Sequence, residues 1–154
     1  MSTPLLIDVN VLVLGSEQGA LHHQTAMEWM SRALDRGDQI GIPWHSLLGF
    51  FRIATNPRSS RRPLPPDVAW GLITGWLNTA GVWAPLPGPK HAGILGELIH
   101  KYAIHADGVS DAHLAALAIE HDLTLVSFDR DFARFREVRW LNPAGVSVGR
   151  PHHG

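Results

Sequence analysis

Short apolar runs alternate along this chain with longer stretches of helical periodicity, and the alternation predicts a parallel sheet covered by helices on both faces. The run Leu5-Leu6-Ile7 reads as a buried strand ending at Asp8, because continuous apolar residues suit a strand covered on both sides. Val9 to Leu14 reads as the turn into a short helix. His22 to Arg36 repeats apolar residues at Ala26, Trp29, Met30, Ala33 and Leu34, the spacing of a helix, and Gly37 supplies its stop. Ile40 to Pro43 is a second short strand. Trp44 to Thr55 returns to helical spacing through Leu47, Leu48, Phe51 and Ile53, ending at Asn56-Pro57.

A loop rich in Pro, Ser and Arg leads to Asp67, an N-cap for a helix through Trp70, Ile73 and Leu77. Val82 to Leu86 is a third strand, and Lys90 to Ala103 a helix with Ile94, Leu95, Leu98 and Ile99 inward. Ser110 caps a helix to His121 whose inner stripe is Leu114, Leu117, Ala118 and Ile119. Leu123 to Ser127 is a strand, Arg130 to Phe135 a turn, and Val138 to Leu141 a last strand. Nothing divides the chain, so residues 1–143 form one domain and the Gly-rich residues 144–154 a loose tail.

Composition narrows the chemistry. With 45% apolar and 18% charged residues the chain of 154 has the makings of one ordinary core. A formal charge of -1 gives no global basic field, so a nucleic-acid partner must be met by a local patch. The lack of cysteine removes disulfides, thiolate metal sites and cysteine nucleophiles, and suits a reducing cytoplasm. The N-terminal apolar run carries Asp8 and Asn10 inside it and is too short to span a membrane.

The acids are the most informative residues. Asp8 closes one apolar run, Asp129 and Asp131 follow another, and Asp111 opens the helix between them. In an open parallel sheet, ligands bind beyond the carboxyl ends of strands, so sequence-distant acids become neighbours there. Carboxylates in apolar surroundings must be paired, protonated or bound to a cation. Oxygen-only ligation, with Asn10 assisting Asp8, selects a hard ion, Mg2+ or Mn2+, able to serve metal-assisted phosphoryl hydrolysis. Taken singly, Asp111 also reads as a partner of its helix dipole, and Asp129-Arg130-Asp131 as a polar turn.

Four stretches in order carry a resemblance: Leu6-Ile7-Asp8-Val9-Asn10-Val11-Leu12, Ile42-Pro43-Trp44 through Phe51-Arg52-Ile53-Ala54-Thr55-Asn56-Pro57, Ser110-Asp111-Ala112-His113-Leu114-Ala115-Ala116-Leu117-Ala118, and Leu125-Val126-Ser127-Phe128-Asp129-Arg130-Asp131-Phe132. The pattern resembles the PIN domain, and more closely the VapC toxins of toxin-antitoxin pairs. The resemblance implies a three-layer PIN-like α/β fold with a central, mainly parallel sheet flanked by helices. It also implies an endoribonuclease dependent on Mg2+ (or Mn2+), homodimeric, cytoplasmic and held inactive by a VapB-like antitoxin. By the same likeness Asp8, Asp111 and Asp129 match the metal-binding acids and Asp131 their companion in catalysis, while Asn10 and Ser127 fill the supporting polar slots. One residue departs from the pattern. PIN nucleases commonly carry a glutamate in the helix after the second strand, whereas here Leu47 or a neighbour fills that slot and no acid lies between Asp38 and Asp67. That favours a one-ion site, and leaves a binding module without hydrolysis as the alternative.

Arg52, Arg58, Arg61 and Arg62 surround the loop after the Trp44 helix and are either an RNA-phosphate patch or a solvated loop. The histidines, including His22, His23, His45 and His113, lack a zinc framework and read as surface or packing residues. Trp29, Trp70 and Trp76 lie on apolar helical stripes, as core or dimer-face residues. An aspartyl-nucleophile phosphatase would use Asp8 covalently, but Asn10 stands where such phosphatases of the haloacid dehalogenase group need an acid, so that reading ranks last.

Overall fold

The computed structural model describes residues 4–16 and 21–145. Its elements run β1 (Leu5–Ile7), α1 (Val9–Ser16), α2 (His23–Asp35), β2 (Ile40–Gly41), α3 (Trp44–Ala54), α4 (Pro66–Leu77), β3 (Val82–Trp83), α5 (His91–Tyr102), α6 (Gly108–His121), β4 (Thr124–Val126), a 3-10 turn (Arg130–Arg134) and β5 (Trp140–Leu141). All four strand pairings are parallel, in the order β3-β2-β1-β4-β5. The α/β reading of the sequence therefore holds. From residue 146 onward, the segment expected to be a loose tail lies outside the described residues.

Because successive strand residues face opposite ways, the sheet divides its apolar residues between two cores. Leu5, Ile7 and Val126 pack with Val11 and Leu12 of α1, Leu47 and Phe50 of α3, and Ala69 and Ile73 of α4. Leu6 and Leu125 face the other way, toward Leu98 of α5, Leu114 and Leu117 of α6, and Phe132 and Phe135. Burying one such side chain contributes about 1.5 to 3 kcal/mol, and α6 buries six residues in a row except His113, from Ala112 to Ala118.

Two contacts fix α3 against the end of β1. Ser46 Oγ donates to the Ile7 carbonyl at 2.7 Å, satisfying a buried strand-end acceptor. At Gly49 the helix passes so near α1 that a Cβ there would lie 2.7 Å from Val9 Cγ2.

The structure corrects several expectations. Asp67 is not the cap of α4: Pro65 takes that place and Pro66 begins the helix, its missing N–H costing nothing in the first turn. Ser110 is inside α6, which starts at Gly108; the N–H groups of Gly108 and Val109 are already taken by the carbonyls of His105 and Ala106. The strands expected over Val82–Leu86 and Val138–Leu141 shrink to two residues each. Leu34, Leu48 and Trp70 are exposed, and Trp70 stacks on Trp44 at the surface, whereas Phe50 is fully buried and meets Trp76 edge-on. Among the described residues no helix is long and apolar enough to cross a membrane.

Candidate metal centre

The chain lays β1, β2 and β3 to one side, then crosses over to place β4 and β5 on the other. Strand order thus reverses between β1 and β4, and a crevice opens at their carboxyl ends. Ile7 and Val126 pair directly in register, so the next residues, Asp8 and Ser127, emerge side by side.

Asp8 is buried, with 8% of its surface exposed. The Val9 N–H donates to its Oδ1 and the Ser127 hydroxyl to its Oδ2, both at 2.7 Å. The same hydroxyl accepts from Asn10 Nδ2 at 3.1 Å and from the Asp129 N–H at 2.9 Å. A hydroxyl has one proton to give and two lone pairs; Ser127 uses all three. Asn10 completes the brace by accepting the Phe128 N–H through Oδ1, and Trp140 Nε1 donates to the Ser127 carbonyl. Burial pushes the Asp8 carboxyl up from its ordinary range against the pull of the Ser127 and Val9 bonds, and the nearby Asp129 adds to the rise.

Asp129 caps the 3-10 turn, its Oδ1 accepting the Asp131 N–H at 2.9 Å. That turn brings Asp131 round beside Asp111, which projects from the first turn of α6. Asp111, Asp129 and Asp131 each offer a carboxylate oxygen within 4.8 Å of the others. Burial first, then repulsion from Asp129 and Asp8, pushes the Asp111 pKa up to about 6, while Arg134 opposes the rise. Carboxylates crowded this closely resist ionising together, and an oxygen-only set of this span fits a divalent hard cation. The cluster has the donors and the spacing to hold a metal ion.

Residues 5–138 match the family pattern of the PIN domain. The chain belongs to the PIN-domain family. Ribonuclease VapC37 of Mycobacterium tuberculosis (strain ATCC 25618 / H37Rv) is 38% identical over 92% of this chain and 98% of its own length. VapC ribonuclease Mb2897 of Mycobacterium bovis is 34% identical over 90% of this chain and 95% of that relative. The fold is shared with a crystal structure of VapBC2 from Rickettsia felis bound to a promoter DNA fragment, at a TM-score of 0.64 and 15% identity over 90% of this chain and 97% of that one. A toxin-antitoxin complex from Klebsiella pneumoniae is similar at a TM-score of 0.56 and 20% identity, over 87% and 94% of the two chains.

Within this PIN domain the four aspartates named from sequence converge, but their grouping differs from the expected set of Asp8, Asp111 and Asp129. The tight oxygen group takes in Asp131, and Asp8 lies beside it, wired through Ser127 to Asp129. The helix expected to place Leu47 or a neighbour where PIN nucleases carry a glutamate is α3, which holds no acid, and Leu47 is fully buried in the core. The side chain from that helix that influences the acids is His45, near enough to Asp8 for its charge to favour the carboxylate. His45 packs edge-on against His113, whose Nδ1 lies 3.1 Å from Nε2 of the buried His91. Burial and the neighbouring histidines lower the His113 pKa.

The structure does not bring the four arginines named from sequence to the acids. Arg52 is in the last turn of α3, and Arg58, Arg61 and Arg62 are exposed on the loop beyond it. Since α3 starts at the carboxyl end of β2 and runs about 16 Å, they belong to the far end of that helix. The guanidinium at the acids is Arg134, 4.0 Å from Asp111 Oδ2. The sequence held one signal for it: residues three apart eclipse in a 3-10 turn, which sets Arg134 beneath Asp131.

Proposed function

We propose that this PIN protein is a Mg2+-dependent endoribonuclease, with Mn2+ able to substitute, and the VapC-type toxin of a toxin-antitoxin pair. The observation that carries the reading is the oxygen group of Asp111, Asp129 and Asp131 beside buried Asp8 at the β1/β4 crevice. Its relatives at 34% to 38% identity are named ribonucleases, and the solved structures that share its fold include a VapBC protein and a toxin-antitoxin complex. An antitoxin partner for this chain follows from the same likeness.

A divalent ion held by these carboxylates supplies Lewis-acid polarisation of a phosphoryl oxygen and a more acidic water. The chain supplies the rest. Asp111, Asp129 and Asp131 would hold the ion and Asp8 would add its charge beside them, while Ser127 with Asn10 keeps Asp8 and Asp129 in fixed relative positions. The fourth carboxylate comes from Asp131 on the 3-10 turn rather than from α3, which carries no acid.

Incubation of an RNA panel with Mg2+ or Mn2+ tests the reading. The wild type should cleave, EDTA should abolish cleavage, and Asp8→Ala should slow it by about 100-fold or more. Activity that survives both EDTA and Asp8→Ala overturns the mechanism.

A further inference from the structure

Arg134 ends the 3-10 turn that carries Asp131, and with His105, Asp107, Asp111 and Asp131 it lines a cavity of about 220 Å³. We propose that Arg134 is a phosphate-binding residue of this site, one that releases its loose pairing with Asp111 to take the RNA phosphodiester; the proposal rests on the ribonuclease reading above.

Three observations support it. First, the guanidinium is held but not used. It lies 4.9 Å over the ring of buried Phe135, a platform that limits its freedom, yet among the described residues it makes no hydrogen bond. Its contact with Asp111 is 4.0 Å, an ion pair without a hydrogen bond, on a side chain 41% exposed. A half-exposed planar fork of N–H donors therefore borders the cavity, and such a fork can meet two phosphate oxygens at once. Second, the guanidinium packs closely over the start of α6: a Cβ at Gly108 would come within 3.1 Å of Arg134 Nη2. Third, the site has a charge problem that Arg134 answers. A polyanion approaching Asp107, Asp111 and Asp131 is repelled, and Arg52, Arg58, Arg61 and Arg62 are a helix length away.

The same placement makes Arg134 a rival of the metal. A fixed positive charge at Asp111 opposes a second cation at that carboxylate, and drawing the guanidinium onto phosphate removes the opposition. RNA and metal would each favour the other's binding.

The test separates this proposal from the reading it rests on. An RNA that the wild type cleaves is used with Arg134→Gln and Arg134→Lys, both checked for folding by thermal melting. RNA affinity is measured by fluorescence anisotropy in EDTA across a salt series, and Mn2+ affinity by calorimetry without RNA at pH 8. Arg134→Gln should bind RNA about 10-fold more weakly, lower the slope of log affinity against log salt by about 0.7, and bind Mn2+ a few-fold more tightly. Arg134→Lys should keep the salt slope and the wild-type Mn2+ affinity but recover only part of the RNA affinity, having lost the fork. Unchanged RNA affinity and salt slope in Arg134→Gln overturn the proposal while leaving the ribonuclease reading intact. A wild type that cleaves no RNA and binds no Mn2+ overturns both.

Discussion

The two halves of the acid site are built on opposite plans. On the strand side, Asp8, Asn10, Ser127 and Asp129 are joined by hydrogen bonds from side chain to side chain and to backbone, with Ser127 at the node. On the helix side, among the described residues, Asp111 has only the loose approach of Arg134. Both carboxyls are pushed up by burial, but Asp8 has donors that offset part of the cost, whereas among the described residues none donates to Asp111. The strand half is thus preorganised and keeps its geometry whatever fills the crevice. The helix half is held in readiness, its strain relieved by a proton or a cation.

Removing the unrelieved charge should raise the stability of the metal-free protein. Asp111 has its folded pKa raised to about 6 from 3.8, so its ionised form opposes folding fully above pH 6, and the opposition fades as the pH falls from 6 toward 4. In EDTA at pH 8, Asp111→Asn should be more stable than wild type by about 2 kcal/mol, the full shift of about 3 kcal/mol being reduced for the solvent that reaches the carboxyl. The gap should close by pH 4 in urea titrations. A gap that widens on acidification would mean that Asp111 is paired after all.

Metal should invert that order. At 100 times its dissociation constant, Mn2+ stabilises the wild type by about 2.7 kcal/mol, and Asp111→Asn should gain far less in the same melts. The strand half responds in the opposite way to loss of a group. Ser127→Ala leaves Asp8 Oδ2, Asn10 Nδ2 and the Asp129 N–H without a shared partner and should cost about 2 kcal/mol with or without metal. Asn10→Ala, which frees one loop N–H and relieves Ser127 of a donor, should cost about 1 kcal/mol. If Ser127→Ala were silent in EDTA, the claim of a preorganised strand half would fall.

How much of this was legible in the sequence follows the range of the forces involved. Strand-end acids were readable because the apolar runs before Asp8 and Asp129 fix where each strand must end. Asp111 was readable from its place at the start of a helix. Ser127 was visible as a polar slot through the resemblance, but its role as a saturated node depends on the β1/β4 register, which pairs residues more than a hundred positions apart. Arg134 escaped because charge counting favours clusters such as Arg58, Arg61 and Arg62, whereas the decisive factor was a turn only five residues long. His45 belongs to no zinc pattern in the sequence, and its influence on Asp8 comes from α3 docking over the end of β1. Caps failed where backbone turns had already satisfied the helix, as at Gly108, since propensity reads side chains and not the carbonyls waiting beside them.

Gly49 has no side chain, yet it sets how far the protein can vary. Adding one methyl group there would drive a Cβ into Val9, whose branched side chain cannot fold away, and Val9 is the residue whose N–H holds Asp8. The spacing between two helices therefore acts as a gauge for the position of a carboxylate. An apolar substitution that a search for charged or polar residues would pass over can detune the crevice, whereas Leu48, one position away on α3, is exposed and meets no such wall.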